Sequence, residues 1–124
     1  MIVDNKNLYG SDPEREPVHT GSFVVFVRAG YANPSQFMGC GQDINPTRID
    51  SSCEHIVNGV TIHGVPIEIA AGKYNVTELM PLSSVNDVNG RPVTYQASFS
   101  NDCDSTIQDF QIKTCTITNT AIEQ

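Results

Sequence analysis

A chain of 124 residues, 39% of them hydrophobic and none of them Trp, suits a single domain with one two-layer core built on Val, Ile, Phe and Tyr. Fourteen acidic residues against seven basic ones give a formal net charge of -7, which argues against a nucleic-acid partner, because phosphate contacts need clustered Lys and Arg. The same charge repels anionic lipid, and no stretch approaches the roughly 20 apolar residues of a membrane span, so membrane insertion is not expected.

The predicted elements are strands almost throughout. Met1-Ile2-Val3-Asp4-Asn5 reads as a short first strand, with no secretory leader, so a secreted protein is expected here as a mature chain or as a piece cut from a longer one. Residues 6–20 are polar, carry Pro13 and Pro17, and read as loop. Phe23-Val24-Val25-Phe26-Val27 is an apolar run of strand length. Residues 29–53, with Pro34, Pro46 and several Gly, read as a loop long enough to need a covalent tie. Asn58-Gly59 between His55-Ile56-Val57 and Val60-Thr61-Ile62 predicts a hairpin. Ile67-Glu68-Ile69 reads as a strand that turns at Ala70-Ala71-Gly72 into the next. There Tyr74, Val76 and Glu78 share one face, with Lys73, Asn75 and Thr77 opposite. Asn89-Gly90-Arg91-Pro92 is a turn before residues 93–100, whose odd positions are apolar and even ones polar. The last strand is predicted over residues 111–119, with Cys115, Ile117 and Asn119 on one side and Thr114, Thr116 and Thr118 on the other. Short strands at this spacing predict an all-β, antiparallel sandwich occupying residues 1–124 as one domain.

The four cysteines point to an oxidising compartment. Their spacings lack the two-to-four-residue separation of zinc ligands, and no Cys-x-x-Cys redox motif exists. Of the three pairings that four cysteines allow, the two local ones are expected, Cys40 with Cys53 and Cys103 with Cys115. Each closes a loop of a size that contributes about 3 kcal/mol.

Three segments together carry a family resemblance. They are Ala71-Gly72-Lys73-Tyr74-Asn75-Val76-Thr77-Glu78, then Tyr95-Gln96-Ala97-Ser98-Phe99-Ser100-Asn101-Asp102-Cys103, then Lys113-Thr114-Cys115-Thr116-Ile117-Thr118-Asn119. This C-terminal half resembles the prealbumin-like modules of bacterial and archaeal cell-surface proteins, related to the collagen-adhesin B-type domain. Residues 21–28 fit more loosely, and residues 31–53 look like an insertion. Where the family has Gly in the turn before the last strand, this chain has Asp109-Phe110. The resemblance implies a Greek-key, immunoglobulin-like sandwich used as a stalk or adhesive brick. In many members a Lys on the first strand bonds covalently to an Asn on the last, assisted by a buried carboxyl. Glu78 and Asn119 match the last two roles, while the Lys position would fall before Met1 and Lys6 falls too late. A buried carboxyl holds its proton and can polarise a carboxamide for attack by a neutral amine. The bond itself is not expected within this chain.

Other candidates carry less. His19, His55 and His63 have unrelated spacings, although the last two could approach across the hairpin. Asp102-Cys103-Asp104 lacks the loop spacing of Ca²⁺ motifs. Asp43, Asp50 and Glu54 read as loop residues. No metal or cofactor is expected, and neither a Gly-x-Ser-x-Gly nor a His-Glu-x-x-His motif is present, so the chain is not expected to be an enzyme. Asn75-Val76-Thr77 is an N-glycosylation sequon pointing outward from its strand. The expected function is an extracellular structural module, a subunit of a surface filament or stalk. Its expected partners are other copies of itself, joined head to tail by strand addition at the short first strand. The alternative is an adhesin that contacts its target through residues 29–53.

Overall fold

The computed structural model describes residues 1–8, 22–44, 49–51, 54–78, 85–86 and 89–122. Its strands are β1 (Ile2–Leu8), β2 (Ser22–Ala29), β3 (Ser35–Cys40), β4 (Gln42–Ile44), β5 (Ile49–Ser51), β6 (His55–Val57) and β7 (Val60–Ile62). They continue with β8 (Gly64–Pro66), β9 (Gly72–Glu78), β10 (Val85–Asn86), β11 (Pro92–Phe99), β12 (Asp104–Ile107) and β13 (Thr114–Ile122). A 3-10 turn, Asn101–Cys103, leads into β12.

Two sheets pack face to face. One runs β10-β11-β13-β1-β4-β5, with β8 also on β1; the other runs β12-β9-β2-β3. The pleat explains the core. Val3 alternates with Asp4, Val25 and Val27 with Phe26, Tyr74 and Val76 with Asn75, and Cys115 and Ile117 with Thr116; the first member of each set is buried. Burying these side chains is the main stabilising term, at about 1.5–3 kcal/mol for each large aliphatic one. The β6–β7 hairpin stands apart as a two-stranded sheet. Asn58 (φ 50°) and Gly59 (φ 81°) both take positive φ there, the type I′ geometry whose twist suits a two-residue hairpin.

The all-β sandwich is present, and the structure corrects several details. Residues 29–53 are not a plain loop. β3 pairs antiparallel with β2 over residues 35–40, and β4 and β5 pair with each other. Gly30 (φ 60°) makes the reversal that brings β3 back. The pairing was hidden in the sequence because β3 alternates weakly and carries Gly39. Residues 67–69 do not form a strand, although Ile67 exchanges backbone hydrogen bonds with Met1. Phe99, expected inward, is 43% exposed.

The first strand is also corrected. β1 is not a truncated edge but a central strand extending to Leu8, so Lys6 lies in a strand and not in a loop. It runs parallel to β13 in unbroken register, from Ile2 opposite Thr114 to Leu8 opposite Thr120. On its other side it pairs with β8 and β4. Tertiary pairing on both flanks overrides the polar, loop-like composition of Lys6 and Asn7. The sheet is therefore mixed at its centre, not purely antiparallel. Gly64 is required by this packing: a Cβ there would lie 1.8 Å from the Val3 carbonyl oxygen.

Candidate functional site

The most unusual chemistry lies inside the core. Asn5 and Asn119, at 0% and 2% exposure, are the buried polar residues of the sandwich among those described. Each projects inward by the same alternation that buries Val3 and Ile117. Glu78, at the end of β9, reaches across from the other sheet. Asn5 Nδ2 donates to Glu78 Oε1 at 3.2 Å, and Asn119 Nδ2 donates to the same oxygen at 3.2 Å. One carboxyl thus joins the two parallel central strands of the opposite sheet. Burial pushes the Glu78 carboxyl above its ordinary 4.5, against the pull of the Asn119 and Asn5 hydrogen bonds. Asn5 Oδ1 is buried without a hydrogen-bond partner. Leaving a buried polar atom unpaired costs about 1–3 kcal/mol.

Glu78 and Asn119 are two of the residues singled out by sequence. The third member, Asn5, was missed. Its signal is its place two residues after Val3, inward in the first strand, but a strand that ends at Asn5 as an edge leaves that position outside the core. Lys6 is excluded from the cluster by the pleat. Its side chain lies on the outer face of β1, 3.9 Å from Asp4. The site therefore holds a carboxyl between two carboxamides, with a carboxamide where a reactive amine would be needed.

No family model, curated protein or solved structure matches the chain.

A second tie between the sheets is covalent. Cys103, in the 3-10 turn before β12, is bonded to Cys115 on β13, with Cα atoms 4.5 Å apart. Both residues are buried. Beside them the Tyr74 hydroxyl donates to the Asp102 carbonyl oxygen, and burial, with Asp102 and Asp104 nearby, pushes its phenol up. The Cys40–Cys53 pairing lies outside the described residues, as does His19.

The remaining candidates are dispersed. His63 Nε2 is 3.4 Å from Glu54 Oε1, and His55 pairs in register with Ile62. No group of three or more His, Cys, Asp or Glu able to hold a metal stands together among the described residues, and Asp102 and Asp104 belong to no such group. Asn75 is exposed on β9, opposite Asp104 on one side and Arg28 on the other. A cleft of about 450 Å³ opens between the β6–β7 hairpin and the outer face of β1, with Asp4, Lys6 and His63 among its lining. Burial raises the Asp4 carboxyl pKa there, against the opposing charges of Lys6 and His63.

Proposed function

We propose that the chain is a load-bearing module of an extracellular surface structure, a stalk or filament brick of the prealbumin-like kind. The observation that carries this reading is the parallel pairing of β1 with β13. The chain enters at one pole through β1 and leaves at the opposite pole through β13, about 23 Å apart for a seven-residue strand at ~3.3 Å per residue. Tension applied along that axis loads all seven paired positions in shear at once, instead of peeling them one by one. Glu78 clamps both loaded strands from the opposite sheet, and the Cys103–Cys115 bond fixes β13 to the β12 end of that sheet. The disulfide supports an oxidising, extracellular setting. The sequence-level idea of strand addition at a short β1 finds no support in this arrangement, because β1 has neighbours on both sides.

Single-molecule force spectroscopy tests the reading. Attachment at residues 1 and 122 applies shear; attachment at residues 1 and 113, which lie at the same pole, peels. The unfolding force in the first geometry is expected to be several-fold the second. Equal, low forces in both would overturn the load-bearing role. The adhesin reading draws on the fully exposed Tyr31 in the β2–β3 turn. A target whose binding is lost in Tyr31→Ala, with the force response intact, would place adhesion beside load-bearing.

A further inference from the structure

We infer that the outer face of β2 and β9 carries a binding site for an acidic sugar, a pyranose ring with one carboxylate, held by Arg28, Lys73 and Tyr31. This is independent of the load-bearing reading; it rests on the adhesin reading at Tyr31 and names the ligand class for it.

Cations are scarce in this chain, seven against fourteen acidic residues. Lys6 faces Asp4 at 3.9 Å, and the Lys113 ammonium donates to the Ser105 hydroxyl at 3.1 Å. Arg28 and Lys73 have neither an ion pair nor a side-chain hydrogen bond among the described residues. The fold nevertheless brings these two together. Arg28 pairs with Asn75 in the β2–β9 ladder, and Lys73 lies two positions along β9 on the same face. They are diagonal neighbours, about 7 Å apart at Cβ. Like charges so placed repel each other, and one carboxylate between them removes the repulsion. Arg28 offers paired N–H donors that match the two carboxylate oxygens, and Lys73 adds a point charge.

The two cations line a cleft of about 260 Å³ together with Gly30, Tyr31, Asn75 and Asp104. Gly30 keeps it open. Its N–H bonds the Lys73 carbonyl at 2.7 Å, and nothing lies within 4 Å of the place a Cβ would take. Tyr31 follows it and stands fully exposed at the rim. Its ring offers a flat apolar face whose negative π-cloud attracts the polarised C–H bonds of a pyranose. Asn75 and Asp104 stand opposite each other on β9 and β12. The Asn75 amide donates and accepts, and the Asp104 carboxylate accepts from hydroxyls. Asp104 is two strands from Arg28, roughly 10 Å across the sheet. The cleft is thus cationic at one end and hydroxyl-binding at the other.

This polarity selects the ligand. A neutral sugar leaves both cations unpaired. A polyanion, whether nucleic acid or acidic peptide, meets Asp104 and a body of net charge -7. A single carboxylate on a ring of hydroxyls satisfies both ends: carboxylate over Arg28 and Lys73, hydroxyls toward Asn75 and Asp104, the C–H face on Tyr31.

NMR titration of the full chain tests the site, on protein whose intact mass shows Asn75 unmodified, because a glycan on that sequon would fill the cleft. Methyl β-D-glucuronide or methyl α-D-galacturonide should give saturable shifts at the amides of Gly30, Tyr31 and Asn75, with a Kd of about 1–10 mM that weakens with added salt. Methyl β-D-glucoside should bind at least fivefold more weakly. Arg28→Gln, Lys73→Gln and Tyr31→Ala, all at exposed positions, should each weaken the uronide at least fivefold and leave the thermal midpoint unchanged. Lys6→Gln, outside the cleft, should leave binding unaltered. No saturable shift with either uronide up to about 100 mM overturns the inference. So does uronide binding that survives Arg28→Gln/Lys73→Gln, or a glucoside that binds equally well. Inorganic sulfate binding as tightly would make it a simple anion site, and hexaglutamate binding more tightly an acidic-peptide site; either result overturns the sugar. None of these failures changes the force response. A target lost in Tyr31→Ala from a chain that binds no uronide would keep the adhesin reading and remove only this ligand.

Discussion

Replacing Asn5 by lysine places an amine in a site that already holds the other two groups needed for an amide exchange. Asn5 Nδ2 and Asn119 Nδ2 each lie 3.2 Å from one Glu78 oxygen. A lysine amine extends two bonds further than the Asn nitrogen, roughly 2.5 Å, which carries it past the carboxyl toward the Asn119 carboxamide carbon. Burial disfavours the ammonium form and raises the Glu78 carboxyl above its ordinary value, which shifts both groups toward the forms that react. The neutral amine attacks the Asn119 carbonyl carbon; a new C–N bond forms, the old one breaks, and the nitrogen leaves as ammonia with a proton passed through Glu78. Intact mass spectrometry of Asn5→Lys should then show a loss of about 17 Da, mapped to a linked peptide pair from residues 5 and 119. The bond would close a loop of over a hundred residues, for which chain entropy gives about 4.7 kcal/mol. At about 4 °C per kcal/mol for a domain of this size, the thermal midpoint should rise by about 15–20 °C. In Asn5→Lys/Glu78→Ala no mass should be lost, and the midpoint should fall, because the lysine is then buried without a partner. A folded Asn5→Lys protein of unreduced mass would refute the geometry. Equal reaction without Glu78 would refute the role given to the carboxyl.

Cys103→Ala/Cys115→Ala opens a loop of twelve-residue separation and should lower stability by about 3 kcal/mol in denaturant titration, leaving the other two cysteines in place. Gly64→Ala forces a methyl onto the Val3 carbonyl and should cost about 1–3 kcal/mol or more, read as a lower denaturation midpoint. Glu78→Gln should flatten part of the pH dependence of stability. The folded state holds the Glu78 proton above the ordinary 4.5, so it binds more protons than the unfolded chain in the window just above that value, and stability falls as pH rises through it. Asp4 is shifted the same way, so the difference between the Gln variant and the parent isolates Glu78. Phe110 has φ 61° and is fully exposed, so Phe110→Gly relieves left-handed strain without losing contacts and should raise stability by up to about 1 kcal/mol in thermal melts.

Much of the fold was legible wherever alternation was strong. Tyr74 and Val76 are buried and Lys73, Asn75 and Thr77 exposed, as the two-residue period requires. The Asn58-Gly59 hairpin was readable from its turn chemistry alone. Asp109-Phe110, which stands where the resemblance leads one to look for Gly, does adopt a positive φ at Phe110. What the sequence hid was non-local. β3 gains its conformation from pairing with β2, not from its own pattern. β1 looked like a fragment because its second half is polar on both faces; only the neighbours that flank it make Lys6 and Asn7 strand residues. The candidate site suffered the same loss. Its members lie 73 and 41 positions from Glu78, and the register that turns Asn5 inward depends on strands that no local window contains.

The pairing of the first strand with the last also dictates when the molecule can exist. β1 is made long before its partner β13, which arrives only with residues 114–122. Until then Glu78 lacks Asn119, Cys103 lacks Cys115, and the central strand of the larger sheet has one flank bare. Closing so long a loop is slow compared with local pairing. The larger sheet therefore locks only once residues 114–122 are in place. The order of strands acts as a timer, delaying rigidity until β13 has been added.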